Sequence, residues 1–330
     1  MIHPIPPGTR DILPEEMREL RRLRAALLEV FEGHGFGEVA TPAIEYDEVL
    51  GRGDGRTADS AYRFFDERGD LLALRSDMTV PIARLVASRF ADAESPLRLC
   101  YLANAYRAVR PQRGQMREFA QAGVELIGTA APAGTAEVIE VLAAALDAVG
   151  LDRAVIGLGD ADLFRQLLAE YGVEGEARNS ALASLAMHDL VGLEQELSRA
   201  GIGEERVATC VALSQLRGGP EVLEQASALG GDAVERATAR LGETLEALAQ
   251  RGAGGRVQID LGLLRDLGYY GGAILEVYDP ALGHVLGGGG RYDGLLKRFG
   301  VDLPAAGFAL YLERLHVAQM EEESRREGGR

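Results

Sequence analysis

Apolar residues recur every three or four positions between Met17 and Phe31, at Leu20, Leu23, Leu27, Val30 and Phe31. That spacing predicts an amphipathic helix, with Pro14 suited to its start and Gly33 and Gly35 to its end. A short strand over Glu38 to Ala40 stops at Thr41-Pro42, before the Gly- and Asp-rich loop GRGDGRTADSAYRFFDERGD. The pattern then predicts a strand over Leu71 to Arg75 and a helix over Pro81 to Arg89. Two long strands, Leu97 to Val109 and Glu118 to Ile127, flank the loop RPQRG. An Ala-rich helix over Thr135 to Val149 leads to a strand over Ala154 to Leu158 and a helix over Asp160 to Tyr171.

From 173 to 230 small and polar residues dominate, with helical segments, Gly breaks and no strand pattern, which predicts a helical insertion. Glycine and β-branched strands return from Val257 to Gly290, and a last apolar segment spans Ala305 to Val317. The expected organisation is one core built from 1–172 and 231–318, the insertion 173–230, and a charged tail, 319–330, read as disordered. Strands cluster around hairpin-like loops rather than alternating with helices, so the expected class is α+β with an antiparallel sheet.

Composition narrows the function classes. The 330 residues are 47 % hydrophobic, and no apolar run reaches the roughly 20 residues of a membrane helix. MIHPIPPGTRDILPEE lacks the basic and apolar regions of a secretory signal. Two cysteines make no disulfide framework, and no CxxC or HExxH spacing exists, so a cytoplasmic protein without metal or cofactor is expected. Lys+Arg 35 against Asp+Glu 51 leaves −16, which disfavours bulk binding of nucleic acid.

Against that acidic background Arg107, Arg110, Arg113 and Arg117 concentrate positive charge on two strands and their loop, where guanidinium forks suit carboxylate or phosphate. A solvated hairpin explains a bare arginine cluster equally well. Gly287 to Gly290 precede Arg291-Tyr292-Asp293, and four successive glycines imply a close backbone approach or a bulge. No Gly-Lys-Ser/Thr follows them, which argues against a phosphate loop. In Leu74-Arg-Ser-Asp-Met-Thr79 an extended backbone would put Asp77 and Thr79 on one side, able to hold an ammonium together. The five histidines have no metal or triad spacing.

Taken in order, these stretches resemble the catalytic core of histidyl-tRNA synthetase. Pro7 to Pro14 is similar to its N-terminal signature, Met17 to Pro42 to class II motif 1, and Tyr106 to Gln121 to motif 2. Leu264 to Tyr270 and Gly289 to Gly294 resemble its two histidine-specific signatures, and Gly307 to Leu315 resembles motif 3. The resemblance implies a class II synthetase-like sheet flanked by helices, dimeric through motif 1. It also implies a histidine site in which Asp77, Thr79 and Gln121 hold the α-ammonium, and Arg107 and Arg265 meet the carboxylate. Glu125 would read the imidazole beside Tyr269, Tyr270 and Tyr292.

The departures fall on the nucleotide side. The adenine-reading glutamate is Val109, the phosphate arginine is Gln115, and the motif 3 glycine beside the nucleotide is Tyr311. Gly268 replaces an aspartate beside the tyrosine pair, and the chain runs only about fifteen residues past Arg314, where those synthetases continue into an anticodon-binding domain. A synthetase-like core altered in this way resembles the regulatory subunit family of ATP phosphoribosyltransferase. That resemblance implies a non-catalytic chain, a homodimer within a hetero-oligomer, that activates a short catalytic subunit. It also implies feedback inhibition by histidine at the first step of histidine biosynthesis, with no tRNA and no membrane as partner. A histidine-adenylating enzyme and an orphan histidine- or RNA-binding protein are the rival readings.

Overall fold

The first helix, α1 (Pro14–Gly33), begins with Pro14, whose missing N–H costs nothing in a first turn, and with Glu15 and Glu16 at the positive end of the helix dipole. Leu20, Leu23, Leu27 and Phe31 bury one stripe, and Gly35, at φ +83°, turns the chain out of the helix. The computed structural model describes residues 5–53, 60–108, 116–264, 268–280 and 282–328. Val109, Arg110, Arg113, Gln115 and Arg265 lie outside them.

After α1 come β1 (Gly37–Glu38), β2 (Ile44–Tyr46), α2 (Asp47–Gly53), β3 (Arg63–Phe65), β4 (Leu71–Leu74) and α3 (Thr79–Arg89). The long strands β5 (Leu97–Tyr106) and β6 (Glu118–Ile127) are followed by α4 (Ala133–Ala148), β7 (Val155–Asp160) and α5 (Leu163–Glu170). Next are α6 (Gly175–Ala186), α7 (Leu190–Arg199), α8 (Glu204–Gln215), β8 (Arg217–Gly218), α9 (Glu221–Ser227) and α10 (Asp232–Arg251). The chain continues through β9 (Val257–Asp260), β10 (Ala273–Tyr278), β11 (Val285–Arg291), β12 (Ala305–Tyr311) and α11 (Leu312–Gly328).

Nine strands form one sheet in the order β1-β5-β6-β12-β11-β10-β7-β9-β8, and β2-β4-β3 form a small second sheet. The central pairs are antiparallel, as the clustered strands imply; β1–β5 and β7–β9 are parallel. Each parallel pair closes a long crossover, the second through helices α5 to α10, which is the connection parallel strands require. Strand alternation divides the core. Cys100, Ala122, Val124 and Leu126 face α1, α4 and the main cluster, whereas Leu99, Tyr101 and Ile127 face a second cluster with Met78, Tyr269, Tyr270 and Tyr292.

Two expectations change. The stretch 173–230 contains β8, whose Arg217 pairs with Asp260 of β9; two residues are too few to leave an alternation in the sequence. The tail is not disordered through its length, because α11 runs to Gly328. The charge run that suggested disorder forms helical pairs, Arg325 with Glu321 at 2.9 Å and Arg326 with Glu322 at 3.5 Å. Glu322 is buried and accepts the backbone N–H of Asp152 at 3.2 Å and of Arg153 at 3.1 Å, tying the helix to the loop before β7. Glu322→Ala orphans two N–H groups, so stability should fall by about 1–3 kcal/mol in denaturant unfolding, with the exposed Glu323→Ala as the neutral control.

Candidate functional site

The site lies on the sheet face opposite α1. Register puts Gln121, Gly123 and Glu125 of β6 on that face, opposite Ala103, Tyr101 and Leu99 of β5 and Tyr311, Ala309 and Gly307 of β12. Glycine clears the ground where these strands meet. A Cβ on Gly307 would come within 1.9 Å of Glu125 Oε2, and one on Gly289 within 2.0 Å of the Gly307 carbonyl. Gly287, Gly289 and Gly290 of β11 therefore serve strand packing beneath a site that Gly288 lines; the irregular register nearby is at Val277/Tyr278, not among them.

Glu125, 1 % exposed, is the centre of this face. The Thr79 hydroxyl donates to its Oε1 at 2.8 Å and the Tyr292 hydroxyl donates to its Oε2. Burial pushes its carboxyl up to about 8, Tyr292 and Thr79 oppose that shift, and Asp77 adds to it. Burial likewise holds the Tyr292 and Tyr101 phenols well above their ordinary range, so both remain protonated.

Asp77, Thr79, Arg107, Gln121, Tyr269, Tyr270 and Tyr292, all expected on sequence, line one cavity, and two of them, Thr79 and Tyr292, hold this carboxyl just behind the lining. Its free space is about 20 Å3, room for one water at a time. Asp77 and Thr79 reach it by a different route from the extended backbone expected. Met78 is helical, Asp77 Oδ1 accepts the Val80 N–H at 3.1 Å, and Thr79 opens α3. Arg107 donates through Nε to the Ser76 carbonyl at 3.3 Å. Tyr269 and Tyr270 pack with ring centroids 4.8 Å apart and stay buried beside Gly268, whose carbonyl accepts from Arg298 at 3.3 Å.

The sequence reading missed Tyr101. It lines the cavity from β5, and the available signal was its strand phase, opposite a glycine and on the same face as Gln121 and Glu125. A second missed feature is a stack beside the cavity. The Arg107 guanidinium lies 4.9 Å from the Phe119 ring, Phe119 meets Tyr311 edge-on at 5.6 Å, and Arg314 lies 4.7 Å from Tyr311. Arg314 also donates to the Val285 carbonyl at 2.6 Å. Tyr311 thus fills with packed aromatic surface the place where the synthetase resemblance expects a glycine.

Tyr269 and Tyr270 also line a second cavity of about 440 Å3 with Arg240 of α10 and Arg291 of β11. There Arg240 pairs with Asp160 through Nε at 2.8 Å, and Arg291 with Asp293 at 2.6 Å. Among the described residues no cluster of His, Cys, Asp and Glu could hold a metal ion, and no helix is long and apolar enough to cross a membrane.

The histidyl-tRNA synthetase family profile matches residues 8–315. An ATP phosphoribosyltransferase regulatory subunit of Moorella thermoacetica is 42 % identical over 96 % of this chain and 82 % of its own length. One from Symbiobacterium thermophilum is 43 % identical over 96 % of this chain and 79 % of its own. This chain belongs to the ATP phosphoribosyltransferase regulatory subunit family.

A solved structure described as an ATP phosphoribosyltransferase regulatory subunit/histidyl-tRNA synthetase from Bacillus halodurans superposes with a TM-score of 0.86 at 33 % identity, covering 97 % of this chain and 84 % of its own. A histidine–tRNA ligase subunit from Alicyclobacillus acidocaldarius gives 0.85 at 30 % identity, covering 98 % and 99 %. The family therefore has the class II synthetase-like α+β fold and a regulatory rather than catalytic role, and a regulatory subunit implies a catalytic partner.

Proposed function

We propose that this chain, as a homodimer in a cytoplasmic hetero-oligomer, activates a short ATP phosphoribosyltransferase subunit and carries its feedback inhibition by histidine. The observation that supports this reading is one cavity lined by Asp77, Gln121 and Arg107, whose lining Thr79 and Tyr292 hydroxyls both donate to the buried Glu125 carboxyl behind them. The three kinds of group in free histidine have matching chemistry there. Asp77, Thr79 and Gln121 offer oxygens to the ammonium, Arg107 (with Arg265, outside the described residues) offers a guanidinium to the carboxylate, and Glu125 with the tyrosines faces the imidazole.

The size of the cavity bears on the mechanism. Histidine is larger than that space, so binding it would move these side chains apart. Histidine then favours one arrangement of the complex by its differential affinity, and inhibition follows by linkage. β1, a two-residue strand at the sheet edge within the motif 1 region, is the proposed element of dimer contact.

The test mixes this chain with a short ATP phosphoribosyltransferase and follows phosphoribosyl-ATP formation with and without histidine. The expected result is co-purification, a rate that requires this chain, and inhibition by histidine. Histidine-dependent pyrophosphate exchange with ATP by this chain alone would favour the adenylating enzyme instead.

A further inference from the structure

Tyr101 stands opposite Gly123 and leans across it. A Cβ on Gly123 would lie 2.5 Å from the Tyr101 hydroxyl oxygen and 2.7 Å from its Cζ. Gln121 and Glu125 flank Gly123 by two residues on the same face, so the hydroxyl lies over Gly123 between their strand positions. Tyr101 is 1 % exposed and lines the cavity, yet its hydroxyl has no hydrogen-bond partner. Gln121 Oε1 is buried in the same cavity without one either. Buried polar atoms are almost always satisfied, and two such atoms lining one cavity point to a polar group bound there.

The chemistry of that group follows from the oxygens. Gln121 Oε1 can only accept, and Asp77 brings a carboxylate to the same lining. Thr79 commits its hydroxyl proton to Glu125. A donor with several N–H bonds fits, and a primary ammonium has three. We propose that the Tyr101 hydroxyl is a binding contact that accepts from the α-ammonium of the bound amino acid, alongside Gln121 Oε1 and Asp77. The assignment rests on the histidine-pocket reading and adds to it a residue that reads the ammonium.

Tyr101→Phe in the full chain tests it with two ligands. Its calorimetric affinity for histidine should fall about tenfold, the scale of a hydrogen bond to a charged group. Imidazole-lactate, which carries a hydroxyl in place of the ammonium, should lose less than about threefold on the same substitution. Unchanged histidine affinity overturns the proposal, and so does an equal loss for both ligands. Absence of histidine binding by the wild-type chain would instead remove the pocket reading itself, and the wild-type titration alone reveals that case.

Discussion

Glu125→Gln should stabilise the empty protein at pH 8, leave it little changed at pH 5, and weaken its hold on histidine. The Glu125 carboxyl ionises near 4.5 in an unfolded chain and near 8 in the fold, burial being the dominant cause. Between those values the folded state holds a proton that the unfolded state has lost. Stability contributed by this group therefore falls as pH rises from about 4.5 to about 8 and is level above that. At one pKa unit per 1.36 kcal/mol the penalty at pH 8 is on the order of 3–5 kcal/mol. Glutamine never ionises, so the variant lacks that slope. Thermal unfolding across pH 5 to 8 checks it, and parallel curves for the two proteins would contradict it. On the ligand side, an imidazole can take the Glu125 proton and leave a paired imidazolium and carboxylate, which an amide cannot reproduce. Histidine affinity should drop by about 1.5–3 kcal/mol, and inhibition of the mixed complex should need at least about tenfold more histidine.

Gly289→Ala should cost about 3 kcal/mol or more and abolish histidine binding. The added Cβ would meet the Gly307 carbonyl oxygen at 2.0 Å and Phe308 Cα at 2.7 Å, backbone atoms that cannot rotate away. β11 and β12 must then separate beneath Glu125, and overpacking that moves backbone lies at the upper end of its usual range. Gly294→Ala is the control. Its Cβ would meet nothing within 4 Å, so a change within about 0.5 kcal/mol is expected. Denaturant midpoints compare the two, and equal midpoints would contradict the packing account.

Much of this was legible because it is written in local periods. The stripe of α1 and the alternation of β5 and β6 are strong signals, and the ordered motifs around Arg107, Tyr270 and Tyr292 locate the cavity lining. What escaped depends on pairing at a distance. β8 has two residues and β2 three, too few for any period. Arg240 meets Asp160 across 80 positions, and no local pattern reports a pair at that distance. Tyr101 reads as an ordinary core aromatic along β5, and only the glycine across the ladder shows that its hydroxyl is aimed at a site. Asp77 and Thr79 share the expected side although the backbone there is the start of α3 and not a strand, because a first helical turn brings both to the cavity as readily.

The run of Arg107, Phe119, Tyr311 and Arg314 has a consequence for substitution at its centre. Each contact between a guanidinium and a ring is worth about 0.5–1 kcal/mol at a half-exposed site, and the edge-on ring pair adds a similar amount. Glycine at position 311 would strip Phe119 and Arg314 of their shared neighbour, while supplying none of the polar groups that position a triphosphate. The smaller residue alone is therefore a loss of cohesion without a gain in chemistry, because the ring that occupies this corner also ties two guanidinium groups to the sheet.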